Sequence, residues 1–341
     1  VNLSRRRLIG GSAALAAFAA LPRAEAVAAA RLAVLGHKPI TSLTPSGPIT
    51  TSQNGQVLSG LDITATGTPG LTVSHSGVQL FNCRIRHSGG PGVYCVGKDY
   101  FHAENVITEN IGKTSGQVPG SDPSFYAFHI ENSLNPIVKR VRMTGASAGI
   151  YSRSAPNGVF DYIEGYNFCG PGPAGQMVAI AFSNNSKLTN FYCENDPQNS
   201  WPEDSINIFA SSNCYIGQGY LKGANSPTGA HIQIDMDVPT LSRSNNCVIE
   251  DVYSSGAFES AFSTTSMNTV WRRCFARDNI YANLGRGVPS SQPHNYFFQA
   301  LYYGPYLSAG NQILQCGYYN PAIPSDIVFG PSGFTTVDLT S

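Results

Sequence analysis

Charge is scarce in this sequence. Only 12% of its 341 residues are Asp, Glu, Lys or Arg, and 21 basic side chains offset 21 acidic ones. A chain without net charge carries no electrostatic footprint for nucleic acid or an anionic membrane surface. Beyond the N-terminal stretch no run is apolar for long enough to cross a bilayer as a helix. Asn-Gly hairpin signals are few, which argues against a sandwich of antiparallel hairpins. No Cys-x-x-Cys pair or Cys/His cluster has zinc spacing, so no metal site is expected from that signal. Gly, by contrast, is abundant at 35 residues, alongside plentiful Ser, Thr and Asn. These residues disfavour helix interiors and suit many short strands joined by tight turns.

The N-terminus reads as a targeting segment, to be set aside from the fold. Ser4-Arg5-Arg6-Arg7-Leu8-Ile9 resembles a twin-arginine export signal, an apolar stretch follows from Gly10 to Leu21, and Ala24-Glu25-Ala26 fits small-x-small cleavage. Residues 1–26 are therefore expected to be a signal peptide, and the mature chain a periplasmic or secreted protein without a membrane span. Eight cysteines, at Cys83, Cys95, Cys169, Cys193, Cys214, Cys247, Cys274 and Cys316, invite a disulfide framework in an exported chain. Twin-arginine substrates fold before export, in a reducing compartment, and several of these cysteines recur at one place in a repeat. Mostly buried free thiols are expected.

Self-similarity is the strongest signal. The phrase from Val73 to Ile85 consists of a strand, a small polar turn, a second strand and then Asn82-Cys83 leading into a third. Related phrases run over 96–107, 130–143, 151–162, 182–193, 208–220, 241–252 and 262–275. Cys83, Cys193 and Cys274 fall at near-equivalent places, as small apolar side chains stacked inside a solenoid would. Period-2 alternation without helical segments fits one coil of a parallel β-helix per repeat. The pattern resembles the pectin-lyase-like superfamily of right-handed parallel β-helices over roughly residues 57–316. The expectation is an all-β, single-stranded right-handed solenoid over 57–341. It would have an N-terminal cap at 27–56 and a covering strand within 318–341.

Alternation also selects a functional face. In His231-Ile232-Gln233-Ile234-Asp235-Met236-Asp237 the apolar residues point inward, which sends His231, Gln233, Asp235 and Asp237 outward. One coil earlier, Ile206 and Ile208 go inward, leaving Ser205 and Asn207 outside with Glu203 and Asp204 at the strand entrance. Earlier coils place His129 and Glu131 beside Ile130, and Tyr151 and Arg153 beyond Ile150. Stacked coils would gather these into one polar column, a groove for an extended polysaccharide. Trp201 and Lys222 join the candidate substrate-binding residues, and aromatics such as Tyr94, Tyr126 and Phe209 are at hand.

The stretch from Glu203 to Ile234 has a partial resemblance to polygalacturonase-type glycoside hydrolases. Glu203-Asp204-Ser205-Ile206-Asn207-Ile208 is similar to their Asp-Asp phrase, Ser212-Asn213 to the following turn, and Gly229-Ala230-His231 to their Gly-His-Gly phrase. The resemblance implies Glu203 and Asp204 as the paired carboxylates and His231 as the family histidine. The family's Asn-Thr-Asp phrase would fall near Ala181 to Asn185, and its Arg-Ile-Lys phrase near Ser263 to Met267. Both are missing, so polygalacturonase activity itself is not implied.

Two chemistries fit the remaining residues. An inverting glycoside hydrolase needs one carboxylic acid to protonate the leaving oxygen and one carboxylate to activate water. Asp235 with Asp237, or Asp204 with Asp235, would supply them without any cofactor. A polysaccharide lyase needs a base for the proton beside a uronate carboxyl group and a cation for the resulting charge. Lys222, Arg153, Arg272 or Arg273 would then act, with Ca2+ held by Glu203, Asp204, Asp235 and Asp237. A non-catalytic carbohydrate-binding or envelope protein is the reading from a different class. The partner in each case is a polysaccharide, and the caps suit a monomer.

Overall fold

In the computed structural model the described residues are 40–112, 126–170, 175–196, 200, 202–224, 229–257, 260–277 and 310–317. The backbone of further strands between 296 and 339 is also described. The expected signal peptide lies outside these residues, as does Trp201. Among the described residues every regular element is a strand. No helix among the described residues is long and apolar enough to cross a membrane.

The strands form two large parallel sheets, one of 14 strands and one of 11, through which the chain passes alternately. This is a parallel β-helix, the solenoid that the repeat implied. The 11-stranded sheet runs in order through Ile49–Thr50, Leu71–Val73, Val93–Val96, Phe128–Glu131, Ile150–Arg153, Val178–Ala181, Ile206–Phe209, Ala230–Asp235, Ser260–Thr264, Tyr296–Ala300 and Val328–Phe329. Ladder pairing begins at Thr44, within the segment expected as a cap, where Thr44–Ser46 pairs with Leu61–Thr66. At the other end Phe334–Leu339 lies parallel to Asn311–Tyr319, inside the stretch expected as a covering strand.

Inward residues stack in register from rung to rung. Val93, Phe128, Ile150, Val178, Ile206, Ile232 and Phe262 make one buried column of the 11-stranded sheet. Strands of the other sheet carry a left-handed residue at mid-length, among them Asn82 (φ 51°), Asn105 (φ 56°) and Asn190 (φ 51°). This conformation is tolerated best by Gly and Asn. It breaks the alternation and bends the strand, so the sheet supplies two of the three faces of each coil. Where the chain turns from the 11-stranded sheet into the other, polar side chains form ladders. Asn157 donates to Asn135 (3.0 Å), Asn185 to Asn157 (3.3 Å) and Asn213 to Asn185 (3.3 Å). Beside them the Ser183 N–H donates to Ser211 Oγ (2.8 Å) and the Ser211 N–H to Ser244 Oγ (3.0 Å). The asparagine ladder is exposed, while the serine contacts satisfy buried polar groups of the neighbouring rung.

All eight cysteines are buried free thiols. Their columns differ in detail from the sequence expectation. Cys83 and Cys274 each follow a left-handed residue, Asn82 and Arg273. Cys193 lies two residues further along, because Cys83 is in register with Val106, Val141, Ile163 and then Phe191. The Asn-Cys phrase marks the bend only where the cysteine directly follows the left-handed residue.

Candidate active site

The outer face of the 11-stranded sheet carries two columns of side chains. One runs Tyr94, His129, Tyr151, Ala179, Asn207, Gln233 and Ser263. The other runs Val96, Glu131, Arg153, Ala181, Phe209 and Asp235. Successive members are one rung apart, about 4.8 Å. The structure thus gathers Asn207, Gln233, His129, Glu131, Tyr151, Arg153 and Asp235 on one surface, as alternation implied.

The carboxylates meet at one end of these columns. Asp204 is 1% exposed, with Oδ1 accepting the Ala230 N–H of the next rung at 2.8 Å. Its Oδ2 accepts Asn207 Nδ2 at 2.9 Å. The same amide nitrogen lies 3.3 Å from Asp235 Oδ2, which also accepts Gln233 Nε2 at 2.6 Å. The two Oδ2 atoms therefore lie within about 6 Å of each other and share one donor. Asp235 Oδ1 is buried and has no hydrogen-bond partner among the described residues. Glu203 is half-buried beside them.

Burial and mutual repulsion make this cluster hold protons. Desolvation pushes the Asp235 carboxyl up to about 6, against the opposing bonds from Gln233 and Asn207. Desolvation, then the charges of Glu203 and Asp235, raise Asp204 well above the usual carboxylate range. Glu203 is also raised, by burial and by Asp235. Three carboxyl groups in such contact titrate as a unit.

Gly229 makes this packing possible. A Cβ there would collide with the Glu203 carbonyl oxygen and stand 2.8 Å from Asp204 Oδ1. The sequence shows Gly229 only within a resembling phrase, while its steric role depends on the adjacent rung. Ala179 and Ala181 are a second feature that sequence reasoning missed. They occupy the two outer columns one rung before Asn207 and Phe209, as small side chains that are themselves 6% and 8% exposed. Their signal was present as the small outward residues of Val178-Ala179-Ile180-Ala181.

Several expected site residues are placed differently or fall elsewhere. His231 is wholly buried, not outward. Its Nδ1 lies 2.6 Å from Ser254 Oγ of the other sheet, and desolvation takes its pKa down to about 4. Ser205, one rung earlier, is likewise fully buried. Both stand at a strand entrance, His231 second in Ala230–Asp235 and Ser205 just before Ile206–Phe209, where alternation counted back from the isoleucines fails. Lys222 belongs to Tyr215–Ala224 of the 14-stranded sheet and pairs with Glu194 at 2.6 Å. Arg272 and Arg273 lie on or beside that sheet too, bonded to Glu250 and Asp251. Asp237 sits past the strand in a tight turn, where it accepts a hydrogen bond from Thr240. Trp201 lies outside the described residues. No group of three or more His, Cys, Asp or Glu side chains suited to a metal ion occurs among the described residues.

No protein-family profile matches this chain, and no curated protein matches it in sequence. Solved structures do. An endo-xylogalacturonan hydrolase from Aspergillus tubingensis is similar with a TM-score of 0.53 at 11% identity, over 87% of this chain and 91% of that one. The catalytic domain of a GH87 α-1,3-glucanase in complex with nigerose is similar with a TM-score of 0.52 at 13% identity. That match covers 87% of this chain and 62% of the glucanase chain, so this chain spans under two thirds of it. A mannuronan C-5 epimerase A-module from Azotobacter vinelandii is matched with a TM-score of 0.47 at 13% identity, over 86% of each chain. At such identities the likeness is one of fold.

Proposed function

We propose that this chain is a carbohydrate-active enzyme, a glycoside hydrolase that cleaves a polysaccharide laid across the rungs of the 11-stranded sheet. One observation carries the reading: carboxyl groups from two adjacent rungs converge around Asn207, and burial raises them above the usual carboxylate range, Asp235 to about 6. Pairs of titratable groups with shifted pKa values are what acid–base cleavage requires. The presence of two glycan hydrolases among the structures of like fold supports it.

In this reading Asp235 is the general acid. Its Oδ1 lacks a partner among the described residues, and a pKa near 6 keeps its proton available for the leaving oxygen. Glu203 is half-buried and serves as the base that activates water. Asp204 lies beneath them and orients Asn207, which in turn aims Asp235. The mechanism is proposed as inverting, which calls for carboxyl groups about 6.5–9.5 Å apart with a water held between them. No cofactor is called for. Of the lyase reading's four candidate bases, Lys222, Arg272 and Arg273 are held by carboxylates of the other sheet, and Arg153 is the one on the same face as the carboxylates.

The test is a screen of the purified chain against neutral and uronate polysaccharides, with and without EDTA. Reducing ends and the ultraviolet absorbance of unsaturated products are read together. New reducing ends without absorbance are expected. Absorbance would establish a lyase, and binding without turnover would establish the carbohydrate-binding class instead.

A further inference from the structure

Two to four rungs before Asn207 the same outer face changes character from carboxylate to aromatic. The ring of Tyr94 stands 5.2 Å from that of His129, and His129 stands 5.5 Å from Tyr151. Tyr126 packs behind, 5.4 Å from His129 and 4.9 Å from Tyr151. Polar groups edge the cluster. His129 Nε2 lies 3.0 Å from Glu131 Oε2, and Arg153 donates to the Tyr151 hydroxyl at 3.4 Å while lying over the Phe182 ring. These contacts fix Tyr151 in place, so little side-chain freedom remains to be lost on binding. Tyr94 is 37% exposed. His129 is 8% exposed, yet its Nδ1 has no hydrogen-bond partner among the described residues.

Between this cluster and the carboxylates lies only the rung of Ala179 and Ala181. The face therefore reads as an aromatic step, a recessed rung of two small side chains that are 6% and 8% exposed, and the acidic end. A sugar ring fits that sequence. Its C–H face packs on an aromatic ring, its hydroxyls need donors and acceptors at the rim, and its width is comparable with one rung.

We propose that Tyr94, His129 and Tyr151, backed by Tyr126, form a distal sugar-binding platform, and that Ala179 and Ala181 are the floor over which the polysaccharide passes from it to the carboxylates. The proposal rests on the hydrolase reading above and adds the direction of the chain, along the helix axis, and a length requirement. From Tyr94 to Asn207 there are about four rung spacings of ~4.8 Å, so a substrate must carry about four sugar rings on that side of the cleaved bond to engage the whole platform.

The experiment uses a ladder of oligosaccharides prepared from whichever polysaccharide the wild-type chain cleaves. kcat and KM are measured for each length with the wild type and with Tyr94→Ala, Tyr151→Ala and Tyr151→Phe. For the alanine variants the loss in kcat/KM should grow with chain length and reach about tenfold on the longest members, equivalent to about 1.4 kcal/mol. It should appear in KM rather than kcat. Tyr151→Phe keeps the ring and should restore most of the binding. A loss equal at every length, or no loss at all, would overturn the platform while leaving the hydrolase reading intact. A wild type that cleaves no polysaccharide in the screen would overturn the hydrolase reading, and the platform with it.

Discussion

Replacing Asp235 by Asn should make the protein more stable at neutral pH and less active. The native carboxyl keeps its proton up to a pH of about 6, against an ordinary value of 3.8 when exposed. Across that interval the folded chain binds more protons than the unfolded one, so stability falls as pH rises through it and then levels off. A difference of about two pKa units corresponds to ~3 kcal/mol, an upper bound for this half-buried group within a coupled cluster. The introduced amide would carry no charge to bury. Its oxygen can accept the Gln233 and Asn207 donors that now converge on Oδ2. Removing the charge also relieves Glu203 and Asp204, both of which Asp235 pushes upward. The variant and the wild type should therefore melt together near a pH of about 3.5 and diverge between about pH 4 and 6. Above about pH 7 the variant's Tm should be higher by about 5 °C, for a chain of this size. Circular dichroism melts across the pH series measure this directly. A variant less stable than wild type at every pH, or a Tm difference that does not depend on pH, would refute the assignment of a buried, charge-strained carboxyl at this position.

Wild-type kcat/KM should fall on the alkaline side once pH exceeds about 6, because the general acid is then deprotonated; a rate profile flat to about pH 8 would remove Asp235 from that role. Asp204→Asn should lower kcat by about a hundredfold or more while leaving the fold intact, consistent with loss of a group that orients an acid–base pair. Gly229→Ala forces a Cβ into the Glu203 carbonyl and should cost about 1–3 kcal/mol together with most of the activity, read by a denaturation midpoint and a turnover assay on the same sample. Lys222→Ala breaks only a surface pair with Glu194 on the other sheet and should leave turnover at the wild-type rate, whereas a large loss would return Lys222 to the site.

The fold was legible because a solenoid repeats its own evidence: each phrase such as Val73 to Ile85 states the same alternation, and the copies agree. Within strands the alternation also placed side chains correctly. Ile232, Ile234 and Met236 are buried while Asp235 faces the groove. It failed at His231, the second residue of Ala230–Asp235, and at Ser205, just before Ile206–Phe209, both of which are fully buried. Lys222 was misplaced because nine residues along the chain separate it from His231 but a change of sheet intervenes. The contribution of Gly229 was hidden because its constraint comes from the backbone of a residue 26 positions earlier, one rung away. Ala179 and Ala181 carry no polar group, so nothing in their chemistry marks them in the sequence as neighbours of Asn207 and Phe209.

The asparagine and serine ladders have a consequence for how the protein comes apart. A solenoid is close to a one-dimensional chain of units, each coupled only to its neighbours. Asn157, Asn185 and Asn213 are the couplers on successive junctions. Asp204 and Asp235 stand on either side of a single junction, joined through Asn207 and the Ala230 N–H. Loosening that one junction would part the pair while every other rung stayed zipped. Activity is thus a local gauge of cohesion at one seam, and on heating it should vanish before the bulk β-signal does.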